Sequence, residues 1–211
     1  MIIRGAMETE LLNSYPHLAG VDEVGRGCLA GPVYAAAVIL DYQAVKRLTA
    51  KQLSRLRDSK TLSRNQRQEM LPVIREISLS SAIAWAEVRE IEQLGIVPAT
   101  FMAMKRALEQ LDRGVNFLLI DGRAPLPGFP GPQQAVIKGD NLCYCIAAAS
   151  IIAKEARDSY MRQLGDTLPA YGFAQHVGYG TKLHLAAIHQ HGPSTHHRRN
   201  FQLGHTTAPL R

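Results

Sequence analysis

The chain has 211 residues, 46% of them hydrophobic, enough to bury one full core. Its longest apolar runs, 34–40 and 146–153, are far too short to span a bilayer, and three cysteines are too few and wrongly spaced for a disulfide framework. The net charge of +6 is unevenly placed: residues 46–67 carry eight Lys or Arg against one acid, Asp58, and no acidic side chain follows Asp166. A basic surface around an acidic centre suits a site that processes a polyanion; a solvated charged face is the plainer alternative.

In chain order, the N-terminus MIIRGAMETE lacks the long apolar core of a secretory signal. Together with the cysteine usage this sets the expectation of a cytoplasmic protein. Residues 18–23 and 32–41 read as two strands whose connection is too short for a crossover, so an antiparallel pair is predicted. Between them the apolar run ends in Asp22 and Glu23, followed by Gly25, Arg26 and Gly27. Paired acids at the edge of a core need a metal, a cation or water. An acidic turn with a glycine hairpin would read the same in this stretch alone. Neighbours on a regular strand face opposite sides. Either the strand breaks at Glu23, or Glu23 contributes partly through its backbone.

Arg47, Lys51 and Arg55 recur every four residues, which predicts a basic ridge on a helix within 43–57. Ser59 and Lys60 follow as candidate phosphate contacts, with Asp58-Ser59 as a turn cap the alternative. Ser63 and Gln66 stand at capping-box spacing and open a helix toward Ile77, with Pro72 inside the pattern. Residues 79–88 read as a third strand. Glu90–Leu94 reads as a short helix ended by Gly95, and Pro98 as the start of a longer one stopped by Gly114. The apolar run 115–120 predicts a strand covered on both faces, ending at Asp121-Gly122. After a Pro/Gly-rich stretch, 134–138 is a short strand leading to Gly139-Asp140. Residues 146–164 form a long central helix, and a final helix is expected near 182–190 after the glycine-rich segment around Tyr171 and Tyr179. The whole predicts an α/β fold, a mixed sheet with helices on its faces.

Asp22, Glu23, Asp121 and Asp140 all fall where a predicted strand meets a turn. Two divalent ions about 4 Å apart need several carboxylates to neutralise and hold them, and magnesium prefers such oxygen donors. Taken singly, Asp121 is also an ordinary turn residue and Asp140 a helix cap; the constellation carries the expectation. No GxSxG or Walker-type pattern signals a protein nucleophile or a nucleotide loop. Cys143 and Cys145 read as buried thiols rather than zinc ligands, the clustered histidines as helix-face and loop residues, and Arg157 with Asp158 as a structural ion-pair network.

Seven ordered blocks give a resemblance that covers most of the chain: VDEVGRG at 21–27, LRDSK at 56–60, LLIDG at 118–122, IKGD at 137–140, AAASIIAKEARD at 147–158, YGFAQHVGYGT at 171–181 and HRRNF at 197–201. The sequence resembles ribonuclease HII, the bacterial type 2 ribonuclease H. The resemblance implies an RNase H-like catalytic domain over 1–211, with 165–211 as a C-terminal loop and helix extension. It implies hydrolysis of the RNA strand of RNA/DNA hybrids and nicking 5′ of ribonucleotides embedded in duplex DNA, leaving 5′-phosphate and 3′-hydroxyl ends. By position, Asp22, Glu23, Asp121 and Asp140 resemble the carboxylates of a two-ion site for Mg2+ or Mn2+. Gly25, Arg26 and Gly27 resemble the ribose-sensing loop and Tyr179 the tyrosine that works with it; Tyr171 is the lesser match. The expected partners are the hybrid and ribonucleotide-containing DNA, with no membrane, and the expected state is a monomer.

Some blocks depart from the family pattern. Asn141–Cys145 stands where small polar residues are usual, Val177 replaces a customary lysine, and Glu155-Ala156 replaces a Val-Thr type pair. Two other functions compete. A divalent-metal DNA nuclease would keep the acids without the Gly-Arg-Gly and tyrosine sensor. A non-catalytic nucleic-acid-binding module would keep the basic segment without needing the acids.

Overall fold

The computed structural model describes residues 4–201. Residues 1–3 and 202–211 of the expected 1–211 domain, Arg211 of the basic tail among them, lie outside the described residues. Helices are α1 (Ala6–Leu11), α2 (Tyr42–Val45), α3 (Ala50–Arg55), α4 (Arg64–Ile77), α5 (Val88–Leu94), α6 (Ile96–Glu109), α7 (Gly139–Leu142), α8 (Tyr144–Thr167), α9 (Phe173–His176) and α10 (Lys182–His191). Strands are β1 (Leu18–Val24), β2 (Val33–Leu40), β3 (Ser78–Ala86), β4 (Phe117–Asp121) and β5 (Gln133–Val136). They form one sheet in the order β3-β2-β1-β4-β5, with β1, β4 and β5 parallel and β2 and β3 antiparallel. None of the described helices is long and apolar enough to cross a membrane.

The sheet is buried on both faces, which is why β2 reads VYAAAVIL without alternation. Alternate residues serve the two sides. Leu18, Ala36, Val38 and Leu119 pack with the apolar first half of α8. Ala19, Val21, Ala35, Ala37, Leu118 and Ile120 pack with Ala99, Ala103, Met104 and Ala107 of α6. Helix α8 comes very close to β1 at Gly20, where an added Cβ would lie 2.4 Å from the backbone of Cys145 and Ile146. Only a residue without a side chain permits that approach.

The antiparallel pair β1–β2, the Ser63–Gln66 capping box and the central helix match expectation. The basic segment is corrected. Asp41 caps α2 and Thr49 opens α3 with its own capping box, so two short helices replace one. Arg47 falls in the turn between them and shares no helical ridge with Lys51 and Arg55. Arg55 is engaged by Glu69 of α4. Helix α6 stops at Glu109, short of Gly114, because the chain there turns back onto β3: Asp112 N–H donates to Ser80 Oγ at 3.2 Å. Pro72 lies inside α4 without ending it; the buried stripe Arg67, Met70, Ile74, Ile77 holds that helix to the core.

Candidate active site

The carboxyl ends of three adjacent parallel strands form one edge, the place where open α/β sheets present ligand sites. Asp121 is the last residue of β4, pairing with Val136 of β5. Asp22 follows Val21, which pairs with Ile120, so Asp22 and Asp121 stand beside each other on neighbouring strands. Past β5 the chain takes a left-handed step at Lys138 and enters α7, bringing Asp140 round to the same edge. Asp121 Oδ1 accepts a bond from Gly139 N–H at 2.7 Å, which ties the two segments.

Strand β1 does not break at Glu23: the ladder continues through Glu23↔Ala35 and Val24↔Tyr34. Asp22 therefore faces α8, while Glu23 faces the α6 side, where it lines a cavity of about 420 Å³ with Arg26, Phe101, Asp121 and Arg123. Asp22 Oδ1 accepts from the Glu23 N–H at 2.7 Å, and Glu23 Oε1 accepts from Arg26 Nη1 at 3.0 Å.

These acids repel one another. Burial pushes the Asp22 carboxyl well above the usual range, and the charges of Glu23 and Asp121 push it further. Glu23 is raised by burial against the opposing pull of Arg26. Asp121 is raised by burial against the N–H donors of Gly139 and Asp140 and the charge of Lys60. Asp140 is pushed up to about 6 by burial, Asp121 and Asp58. Asp58 thus joins the field of the site, a role its turn-cap reading did not include; it also caps that turn, accepting from Lys60 N–H at 2.9 Å. Buried oxygen donors whose burial and mutual repulsion disfavour their charge fit a hard divalent cation, which would balance it. No three His, Cys, Asp or Glu side chains among the described residues are already gathered around one point.

The ribonuclease HII family model matches residues 19–204. The chain belongs to the ribonuclease HII family. It is a ribonuclease H, an endonuclease of RNA/DNA hybrids. The ribonuclease HII of Synechococcus sp. (strain CC9902) is 47% identical over 192 residues, covering 91% of this chain and 95% of that one. That of Synechococcus sp. (strain RCC307) is 48% identical, covering 87% and 90%. Among solved structures, ribonuclease H2 from Pyrococcus horikoshii OT3 shares the fold at TM-score 0.72 and 21% identity, over 88% of this chain and 94% of that one. Bst-RNase HIII in complex with Mn2+ does so at TM-score 0.65 and 22% identity, over 89% and 67%.

In this chain the other expected residues divide. Gly25, Arg26 and Gly27 follow β1 directly, with Arg26 and Gly27 exposed. Tyr179 is half-buried, with Lys154 Nζ 5.8 Å from its ring centroid. Tyr171 is a core aromatic, stacked on Phe173 at 5.5 Å with its hydroxyl donating to Gly192 O. Lys60 is exposed, but Ser59 is buried and its hydroxyl meets Ser150 Oγ at 3.0 Å. Cys143 and Cys145 are free, buried thiols, as expected. Of the clustered histidines 189, 191, 196 and 197, His189 and His191 stand exposed on α10 and His196 lies in the following turn, as expected, but His197 is buried against Phe173.

Two readings needed the structure. Asp158 pairs with Arg67 and Lys154, but Arg157 belongs to no ion pair among the described residues; its partners are backbone carbonyls. Glu155, one of the family departures, is the buried partner of Arg67 at 2.6 Å. The N-terminal helix α1 carried no sequence expectation and precedes the family match. Its Glu8 is fully buried and accepts the Tyr144 and Cys145 N–H groups, both at 2.9 Å, at the start of α8. Arg4 donates to the Asp140 carbonyl at 3.0 Å.

Proposed function

We propose that the enzyme, besides cleaving the RNA strand of hybrids, nicks duplex DNA 5′ of an embedded ribonucleotide by two-ion phosphodiester hydrolysis. The observation that carries this reading is the convergence of Asp22, Asp121 and Asp140 at one sheet edge, with Glu23 and the Gly-Arg-Gly loop continuing from the same strand. Asp22, Glu23, Asp121 and Asp140 would hold Mg2+ or Mn2+; the complex of Bst-RNase HIII with Mn2+ shows a neighbour in fold with such an ion. When bound, such ions lower the pKa of a water and stabilise charge on a leaving oxygen. In the overall reaction a water oxygen bonds to phosphorus and the P–O3′ bond breaks, leaving a 5′-phosphate and a 3′-hydroxyl.

The chain's own residues orient the substrate. Arg26 lies at the surface, half-exposed, and pairs with Glu23, whose side chain is mostly buried. It would be free to turn to a substrate phosphate once an ion balanced the Glu23 charge. Open space lies beside Gly27, so a sugar can approach the backbone and be read at its 2′-hydroxyl, both donor and acceptor. Tyr179 supplies an aromatic face for the following sugar, and Lys60 a cation beside the acids.

The test uses matched labelled duplexes: all-DNA, one embedded ribonucleotide, and a long hybrid, each with and without Mg2+. Ion-dependent nicking 5′ of the lone ribonucleotide with the all-DNA duplex intact is the expected result. Tyr179→Ala should lose far more activity on that substrate than on the long hybrid, which offers several registers. Comparable cleavage of all-DNA would overturn the sensor assignment.

A further inference from the structure

Arg157 and Arg198 are fully buried guanidinium groups that meet no carboxylate among the described residues. Arg157, on α8, donates Nε to Pro32 O at 3.0 Å, Nη2 to Ala30 O at 2.9 Å and Nη1 to Val177 O at 2.8 Å. Arg198 donates Nε to Gly31 O at 2.8 Å and Nη1 to Arg26 O at 3.0 Å. Two segments receive these bonds. One begins with Gly25-Arg26-Gly27; the other places Val177 two residues before Tyr179. They also touch directly, since Leu29 N–H donates to Gly178 O at 2.9 Å. Arg157 presses on Gly25 as well, where φ is +95° and an added Cβ would lie 2.2 Å from Arg157 Nε.

Stability alone does not account for this arrangement. A cation buried without an anion is costly, and apolar residues of similar volume commonly serve a core better. Arg198 even keeps Nη2 buried with no partner among the described residues. What a guanidinium adds is a rigid planar fork that fixes several acceptors at set spacing, which a lysine ammonium cannot do. Arg67 gives the contrast within the same molecule. It too is buried, but it pairs with Glu155 and Asp158 and touches neither segment.

We propose that Arg157, backed by Arg198, is a positioning residue that sets the distance between the Gly-Arg-Gly loop and Tyr179, and so sets selectivity for an isolated ribonucleotide. The inference rests on the proposed reading of those two segments as the ribose sensor. A lone ribonucleotide must satisfy both segments in one register, whereas a long hybrid supplies neighbouring registers that tolerate a shifted spacing.

The experiment compares Arg157→Lys, Arg198→Lys and the control Arg67→Lys, measuring kcat/KM on a single-ribonucleotide duplex and on a long hybrid, with melting temperatures alongside. Arg157→Lys should lower the ratio of the two kcat/KM values by about tenfold or more, the scale of a misplaced positioning contact. Arg198→Lys should shift it the same way, and Arg67→Lys should lower stability without moving the ratio. An unchanged ratio in Arg157→Lys, or the same shift in all three variants, would overturn the assignment. Failure of both Arg157→Lys and Arg198→Lys to fold would also overturn it, since the pair would then be scaffold. If the unmodified enzyme leaves the single-ribonucleotide duplex intact, the sensor reading itself falls. If it cuts that duplex while Arg157→Lys keeps the ratio, only the role of Arg157 is lost.

Discussion

Arg26 Nη1 donates to Glu23 Oε1 at 3.0 Å, joining the arginine of the glycine loop to an acid of the strand before it. If Glu23 holds an ion as proposed, that ion and Arg26 compete for one carboxylate. Arg26→Ala should tighten divalent-ion binding to the free enzyme by up to about fivefold, the scale of a pair exposed on the Arg26 side only. Titration calorimetry reads this directly. Weaker ion binding in the variant would show that Arg26 and the ion do not share Glu23.

Divalent ions should stabilise the enzyme, more so at higher pH. Asp22, Glu23, Asp121 and Asp140 all have carboxyls raised in the fold, so above the ordinary carboxylate range the folded chain holds more protons than the unfolded one, for Asp140 up to about pH 6. Their contribution to stability without ions is therefore present at low pH and is lost as pH rises from the ordinary range through the raised values. An ion takes the place of those protons. At a hundredfold excess over its Kd, Mg2+ adds about 2.7 kcal/mol, or several degrees of melting temperature. The increment should be larger near pH 8 than near pH 5.5; equal increments would detach these acids from the ion.

Asp121→Asn and Asp22→Asn should each lower kcat by about 10³-fold or more, as loss of a group that stabilises transition-state charge does. Melting temperature without ions should hold or rise, because a repelling charge has gone, and the Mg2+ increment should shrink. Asp140→Asn should be severely impaired as well. A variant with near-normal turnover at saturating Mg2+ argues against the two-ion site. The structure gives Asp140 no cap role, since it lies inside α7 behind the N-cap Lys138; a variant that only loses stability would make Asp140 structural rather than catalytic.

Glu8 should matter as much as a core residue. It accepts Tyr42 Oη–H at 2.6 Å and two α8 N–H groups, so Glu8→Ala leaves buried donors unpaired. The expected loss is about 2–4 kcal/mol, with Glu8→Gln costing less because one oxygen remains. Denaturant unfolding measures both. A neutral Glu8→Ala would show that α1 does not hold the start of α8.

Val177 has φ +45°, a left-handed conformation that costs a β-branched residue about 1–2 kcal/mol. Val177→Asn should therefore stabilise the fold by about 0.5–1 kcal/mol. Val177→Lys should bind hybrid several-fold more tightly at low salt, its salt slope steeper by roughly one phosphate contact. An unchanged slope would place this position off the duplex.

Periodicity and local chemistry carried much of the fold. The unbroken apolar run of β4 predicts a strand covered on both faces, that of β2 a strand paired with β1, and the Ser63–Gln66 spacing marks the start of α4, because such signals depend only on nearby residues. The acids were legible for the same reason: each stands where an apolar run ends, and the blocks around them are those of ribonuclease HII. Local signals misled where two caps lay close together, as at Asp41 and Thr49, which split one expected basic helix into two.

Other features depend on residues far apart in the chain. Glu8 reads as an ordinary surface acid until α1 brings it to the start of α8, 136 residues later. Arg157 reads as one half of an Arg-Asp pair until the helix turns it toward carbonyls at 30, 32 and 177, while Asp158 goes to Arg67. The pleat of β1 sends Asp22 and Glu23 to opposite faces, and only the left-handed step at Lys138 returns Asp140 to their edge. Sequence spacing determines which groups a chain can offer. Which of them meet is decided by register, crossing and burial, because a guanidinium or carboxylate deep in the fold must bond whatever polar group the packing leaves beside it.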